Sequence, residues 1–359
     1  MTSEGLAGAR VLVTGHTGFK GAWLTEWLLA EGAEVAGLAL APPEDAPNLF
    51  RDLRLGERMR STLGDIRDWS TVRRVVEEFR PQVVFHLAAQ PLVRRSYAEP
   101  IETFGTNVMG TAHLLEAARL SETVRAFVCV TTDKCYENNE WVWGYRETDR
   151  LGGKDPYSLS KAAAELVAKA YYERKFVCNG MNIATARGGN VIGGGDWAED
   201  RIIPDLVRAI QAGKPLVLRN PKAIRPWQHV LELVRGYIVL AKALLGDRAD
   251  GAAGAWNFGP RRGNEVEVGT LVADFCQVWG GLQTPVVVEP SGLPESHFLK
   301  LDIAKAEAGL GWQPAIDFKT TLELTAGWYR DYLADPSIAS QLVNRQIAQY
   351  RQLCSAAGQ

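Results

Sequence analysis

Tyr157 and Lys161 stand four residues apart in Tyr157-Ser158-Leu159-Ser160-Lys161, a spacing that puts both side chains on one face of a helix. An ammonium beside a phenol favours the phenolate, and a phenolate can take a proton from a substrate hydroxyl. Upstream, Thr131-Thr132-Asp133-Lys134-Cys135-Tyr136 follows an apolar run and offers a hydroxyl, a carboxyl and an amine in three successive positions, Thr132, Asp133 and Lys134. A bare Tyr-x-x-x-Lys is common surface decoration. Joined to the polar run before it and to a glycine turn near the N-terminus, it points to catalysis.

That turn is Gly15-His16-Thr17-Gly18-Phe19-Lys20-Gly21, a Gly-x-x-Gly-x-x-Gly directly after an apolar strand. Gly15 and Gly18 let backbone approach a pyrophosphate, the following helix N-terminus stabilises its charge, and Gly21 permits close helix–sheet packing; Thr17, Phe19 and Lys20 share the turn. A lone match of this kind can be a ligand-free turn, but its place in the first β-α-β unit favours a dinucleotide. The window about 20 residues on that usually carries a ribose-binding acid is Leu38-Ala39-Leu40-Ala41 here, so the usual mark separating NAD from NADP is missing. Asp65 and Ile66 are expected at an adenine edge, although Asp65 reads equally well as a plain loop residue. Leu87, Ala88 and Ala89 after the fourth strand are small enough to let a cofactor lie close, and Gln90 follows them.

The elements that must position these groups follow from periodicity. Short apolar runs alternate with amphipathic stretches from Arg10 to about Thr185, the pattern of repeated β-α-β units around a parallel sheet. Strands are expected at Arg10–Thr14, Glu34–Leu40, Met59–Leu63, Gln82–His86, Ala126–Val130 and Met181–Ala186. Helices are expected at Phe19–Glu31, Asp68–Phe79, Pro100–Arg119 and Pro156–Lys175, several opened by Asp or Pro. The fold class is therefore α/β, a doubly wound parallel sheet of the Rossmann type. After Arg187 the pattern breaks into Gly-, Pro- and charge-rich segments, which reads as a smaller mixed α/β substrate-binding part. The expected division is 1–187 for the dinucleotide and 188–359 mainly for substrate, with some segments returning to the first domain. Pro336–Gln359 reads as a polar helix with a frayed end.

With 40 Lys+Arg against 42 Asp+Glu over 359 residues the chain is near neutral, which argues against nucleic-acid or membrane-surface binding. Five scattered cysteines, without a Cys-x-x-Cys pair, read as reduced thiols in a cytoplasmic protein. The five histidines show no metal-ligand spacing, so no metal is expected. Arg201, Arg219 and Arg225 suit pyrophosphate oxygens, Asn190 follows the sixth strand, and Trp227 can wall a base. Taken singly, each arginine but Arg225 reads more readily as a solvated surface charge.

Together these segments resemble the extended short-chain dehydrogenase/reductase superfamily in its nucleotide-sugar branch, over nearly the whole chain. The resemblance implies NAD as cofactor, with Tyr157, Lys161 and Thr132 removing a proton from a sugar hydroxyl as hydride leaves. It also implies a supporting role in the cofactor site for Asn107, and nucleotide-sugar contacts for Arg225 and His229. Gln90 and His297 are further substrate-binding candidates, although His297 reads equally as a satisfied structural residue. TGHTGFKG, TTDKCYEN and RPWQHVLE together are most similar to the CDP-glucose 4,6-dehydratases, in which Lys134 is expected where other dehydratases carry Glu. Asp133 is then the candidate acid for the departing 6-hydroxyl, and Lys134 a base, an electrostatic stabiliser or a partner of Asp133. A nucleotide-sugar 4-epimerase would share the cofactor residues and differ chiefly at Asp133 and Lys134. A non-catalytic dinucleotide sensor is disfavoured by retention of the Tyr/Lys pair. The superfamily's habit of pairing two helices per subunit implies a homodimer, or a tetramer built from it, with Ala162-Ala163-Ala164 suited to close helix packing.

Overall fold

The structure is a computed structural model that describes residues 6–173, 180–247, 249–261, 263–282, 284–289, 297–356 and 358. Strands β1 (Arg10–Thr14), β2 (Glu34–Ala39), β3 (Arg60–Leu63), β4 (Val83–His86), β5 (Ala126–Val130) and β6 (Asn182–Gly188) form where the apolar runs place them, each end within two residues of expectation. A seventh strand, β7 (Gly254–Phe258), comes from the half of the chain expected to hold substrate and pairs in parallel with β6. The sheet order is β7-β6-β5-β4-β1-β2-β3, and every neighbour is parallel. The order reverses between β1 and β4, which opens a crevice at their carboxyl ends.

Alternation along each strand divides the core between the two faces. Val11, Val13, Phe85 and Val128 join one apolar cluster, while Leu12, Val84, Phe127 and Cys129 join the other. The labelled helices are α1 (Phe19–Ala30), α2 (Trp69–Phe79), α3 (Thr111–Leu120), α4 (Pro156–Tyr172), α5 (Ile202–Ala212), α6 (Val230–Leu245), α7 (Phe318–Ala334) and α8 (Ala339–Ala356). Two start as the sequence signals: Asp68 accepts from Ser70 N at α2, and Asp155 accepts from Ser158 N at α4 with Pro156 in the first turn. The expected end of α4 at Lys175 lies outside the described residues, as does Cys178.

Two expectations need correcting. The stretch Pro100–Arg119 is not one regular helix: a short helix Pro100–Phe104 passes through a π-turn, Gly105–Gly110, into α3. The side chain of Asn107 inside that turn bonds sideways to the chain after β4, and its carbonyl accepts from Thr111 Oγ1 at 2.7 Å. Nor is the C-terminal helix merely polar. Leu342, Val343, Ile347 and Tyr350 recur at helical spacing, are buried, and dock α8 against α1 and α7. Tyr350 OH donates to Glu232 on α6 at 2.5 Å.

Among the described residues no helix is long and apolar enough to cross a membrane. No three His, Cys, Asp or Glu side chains among them gather as a metal site. Cys129, Cys135, Cys276 and Cys354 are free thiols.

Candidate active site

A cleft of about 520 Å³ runs from Phe19 and Lys20, past Thr132 and Tyr157, to Arg219 and Arg225. The glycine turn, whose Phe19 and Lys20 line the cleft, is as tight as side chains allow. Gly15 has φ +76°, and a Cβ there would meet Ala88 N at 2.8 Å; a Cβ on Gly21 would sit 2.1 Å from Gly15 O. The N-cap of the twelve-residue α1 is Gly18, which has no side chain to cap it, so its first N–H groups are left free of a side-chain cap and suited to an anion. This uncapped helix start, with Leu87 and Ala89 also lining the cleft, fits a dinucleotide pyrophosphate. Thr17 is turned inward, donating to Leu40 O at 2.9 Å. Lys20 lines the cleft, and burial, with the nearby charges of Arg201 and Lys161, pulls its ammonium down to about 7.

α4 delivers Tyr157 from its first turn and Lys161 one turn later. Tyr157 N donates to Ser96 Oγ at 3.1 Å. Burial pushes the phenol up to about 12, while a hydrogen bond with Thr132 and the positive charge of Arg201 pull the other way. Lys161 Nζ donates to Val130 O at 3.2 Å, and burial holds it below its ordinary value. Thr132 Oγ1 donates to Asp133 Oδ1 at 3.1 Å and accepts from Lys134 N at 3.3 Å. Asp133 is wholly buried, its Oδ1 lies 3.5 Å from Lys134 Nζ, and its Oδ2 has no hydrogen-bond partner. Across from that oxygen is Gly189, where a Cβ would stand only 2.4 Å away. The five residues expected to act thus line one wall segment: a hydroxyl, a carboxyl and an amine beside a phenol and its lysine.

The model of the GDP-mannose 4,6-dehydratase family matches residues 12–325. The chain belongs to this family. It is 47% identical over 350 residues to the CDP-glucose 4,6-dehydratase of Salmonella typhimurium, covering 96% of each chain. It is 31% identical to the dTDP-glucose 4,6-dehydratase of Streptomyces griseus, covering 90% of this chain and 94% of that one. Among solved structures it is similar to the dTDP-glucose 4,6-dehydratase of Streptomyces venezuelae with NAD bound (TM-score 0.77, 27% identity, 91% and 99% covered). It is as similar in fold to a UDP-glucose 4-epimerase of Thermotoga maritima (TM-score 0.77, 25% identity, 90% and 99% covered).

For this member of the dehydratase family, the expected ligand residues Gly15, Thr17, Gly18, Gly21, Asp65, Ile66, Ala88, Gln90, Asn107, His229 and His297 are not among those lining the cleft. Gln90 bonds inward, donating to Leu92 O and Thr103 Oγ1 and accepting from Leu92 N. Asn107 holds Gln90 from behind: Oδ1 accepts from Gln90 N, and Nδ2 donates to Gln90 O and Ser160 Oγ. His229 is fully buried and caps α6, its Nδ1 accepting from Leu231 N at 3.3 Å. His297 is exposed and meets the site only through its backbone, donating to Glu140 and accepting from Arg225. Near the far end of the sheet, Asp65 is engaged by Arg67, and Ile66 is buried against Gly110 with its carbonyl taken by His113.

Asn190, Arg201, Arg219 and Arg225 do line the cleft. Arg201 pairs with Asp196 at 2.8 Å, and Asp200 receives both Arg94 at 3.0 Å and Arg219 at 3.4 Å. Asp196, Asp200, Arg94 and Gly189 were not singled out from the sequence. The clue for the first two was the run Gly193-Gly194-Gly195-Asp196-Trp197-Ala198-Glu199-Asp200-Arg201, where three acids crowd before an arginine, of which Asp196 pairs with Arg201.

Proposed function

We propose that this protein converts CDP-glucose to CDP-4-keto-6-deoxyglucose with NAD as its cofactor. The observation that carries the reading is the Thr132-Asp133-Lys134 turn beside Tyr157, because a 4-epimerase has no elimination to run and needs neither an acid nor an amine there. The 47% identity to a CDP-glucose 4,6-dehydratase over nearly the full length supports the base of the nucleotide. NAD would be held by the Gly15–Gly21 turn, Leu87 and Ala89, and when bound it supplies the reversible hydride acceptor that oxidises C4 and later reduces C6.

Tyr157 takes the proton of the sugar 4-hydroxyl, with Thr132 hydrogen-bonded to the same oxygen. Lys161 supplies positive charge that favours the phenolate. Once C4 is a ketone the C5 proton is acidic. Lys134, as the free amine, receives it, while Asp133, as the acid, gives its proton to the departing 6-hydroxyl. As hydride returns to C6 the Lys134 ammonium, 3.5 Å from Asp133, gives its proton back to C5, and the proton that Tyr157 took from the 4-hydroxyl passes through Thr132, which donates to Asp133 Oδ1, so that amine, acid and phenolate are all restored for the next turnover. Burial of Asp133 keeps water from short-circuiting that exchange. Arg201, Arg219 and Arg225 hold the diphosphate.

Self-association follows a second feature. Ile101, Phe104 and Met109 on the stretch before α3, with Leu159 and Leu166 on α4, leave an apolar face that no described residue covers. Ala162 and Ala164 face inward, so the proposed homodimer packs through Leu159, Ala163 and Leu166 rather than the whole alanine run. The assay is incubation of purified protein with CDP-glucose and NAD, followed by mass spectrometry of the sugar nucleotide. Loss of one water without net reduced cofactor is the expected result. An unchanged mass with inversion at C4 would replace the reading by an epimerase, and no reaction with any common sugar nucleotide would replace it by a sensor.

A further inference from the structure

Beneath the cleft lies a buried ion pair that the chemistry above does not use. Glu165, one turn beyond Lys161 on α4, and Arg187 on β6 meet at 2.7 Å with both side chains almost fully removed from solvent. Glu165 Oε1 accepts a short hydrogen bond from Thr131 Oγ1, and its Oε2 accepts from Thr185 Oγ1 at 2.7 Å and from Arg187. The other end of the guanidinium donates to Tyr136 OH at 2.7 Å and to Glu147 O at 3.2 Å, and it lies 4.9 Å from the centre of the Tyr136 ring. Tyr136 OH in turn donates to Asn257 on β7 at 2.8 Å. The pair therefore grips Thr131 and Tyr136, the residues on either side of Thr132-Asp133-Lys134-Cys135.

We infer that Glu165 and Arg187 are positioning residues that clamp both ends of the elimination turn and hold it in register with Tyr157 and Lys161. An apolar pair of the same volume would hold a core as well as a buried ion pair does. Apolar side chains could not reach both flanking hydroxyls, which is what this pair does. The turn itself is weakly braced: its own backbone bonds, Cys135 N to Thr132 O and Tyr136 N to Asp133 O, are each 3.4 Å long. Anchoring must come from outside it, and the anchor reaches α4, β6 and β7 together. Because α4 also carries Tyr157 and Lys161, the clamp fixes the elimination groups relative to the oxidation groups. This inference rests on the dehydratase reading.

The test uses Thr131→Val and Tyr136→Phe, which detach the turn but leave the ion pair intact, with Glu165→Gln as a harsher third variant. Tyr350→Phe, which removes an equally buried hydroxyl–carboxylate bond far from the cleft, controls for loss of stability. Single turnovers of the NAD-loaded enzymes with CDP-glucose are followed by reduced-nicotinamide absorbance and by loss of water. In parallel, hydrogen exchange of the 132–136 segment is measured without substrate. Displacement of a reacting group by about 1 Å costs up to ~100-fold, so elimination is expected to slow at least ~10-fold while C4 oxidation changes less than about 2-fold. Reduced cofactor then accumulates, and exchange in 132–136 rises. Oxidation and elimination slowing in equal proportion, or a pattern matching Tyr350→Phe, would overturn the clamp. If the wild type removes no water from CDP-glucose, the dehydratase reading fails instead, and unchanged exchange at 132–136 in Thr131→Val and Tyr136→Phe would still refute the clamp by itself.

Discussion

Gly189→Ala tests the elimination geometry with a single methyl group. Gly189 lies in the cleft wall and is not among the residues with left-handed backbone, so alanine brings no conformational penalty there. Its Cβ, however, would stand 2.4 Å from Asp133 Oδ2 and 3.1 Å from Cγ. Ordinary contact begins near 3.4 Å, so the carboxyl must retreat by about 1 Å, and a buried aspartate has little free space in which to do so. Any rotation that relieves the clash moves the group proposed to protonate the 6-hydroxyl. A misplacement of that size is worth up to ~100-fold, or about 2.7 kcal/mol of barrier, whereas the stability cost of an added core methyl is of order 1–3 kcal/mol. Tyr157 arrives from a different element, so oxidation at C4 survives. Rapid-quench mass spectrometry should show water loss slowed by one to two powers of ten while reduced cofactor appears at nearly the wild-type rate. Water loss at the wild-type rate from a folded Gly189→Ala protein would mean that Asp133 does not act from where the structure holds it.

Tyr157→Phe should abolish C4 oxidation while leaving CDP-glucose binding within a few-fold, because the phenol ring still fills its buried place; calorimetric titration and turnover separate the two, and retained turnover would remove Tyr157 from the base role. Leu166→Lys puts a charge into the uncovered apolar face of α4, where Leu166 is 55% exposed, and should yield a monomer by sedimentation with an unchanged melting temperature. A Leu166→Lys dimer would move the interface elsewhere. Acid should unfold the protein early. Burial lowers His16 to about 4 and His86 and His229 to about 3, against 6.5 in the unfolded chain. Groups lowered in this way are neutral when folded, so their contribution is complete above pH 6.5 and is lost as pH falls from there toward the folded values. At about pH 5 each costs roughly 2 kcal/mol, about 6 kcal/mol for the three, comparable to the whole stability of an ordinary domain. The melting temperature should therefore fall steeply between about pH 6.5 and 5, and a flat profile would refute the assignment of these histidines as buried and neutral.

The sheet was readable where its pattern is local. Six strands follow from runs of four to seven residues, and the two-face division of Val11, Leu12 and Val13 follows from alternation alone. β7 escaped because its crossover from β6 is long: α5, four short strands, the thoroughly apolar α6 and a short helix at Ala249–Ala252 intervene, so no compact β-α-β unit announces Gly254–Phe258. Parallel pairing with β6 is decided by α6 packing back onto β5 and β6, a contact between distant segments that periodicity cannot register. The π-turn at Gly105–Gly110 was hidden for a related reason, since Asn107 is drawn aside by the chain at Gln90, seventeen residues earlier.

The same division separates the legible from the illegible parts of the site. Tyr157 and Lys161 share a helix face whatever surrounds them, and Thr132 to Lys134 must emerge at the carboxyl end of β5, so type and spacing suffice. For His229 they do not. The segment Arg225-Pro226-Trp227-Gln228-His229 is extended, and alternation would turn its odd positions to one side; Arg225 and Trp227 do reach the cleft. At His229 the chain starts α6, and the ring turns back to accept from Leu231 N, a capping task usually left to Ser, Thr, Asp or Asn. Trp23 on α1 stands edge-on to the same ring at 6.1 Å, and the ring's Nε2 is buried with no hydrogen-bond partner among the described residues. His229 stands as a ligand candidate through the family resemblance of its motif. Which way it faces was settled by α1 and α6, two hundred residues apart in sequence, and a motif confined to 225–229 carries no trace of that constraint.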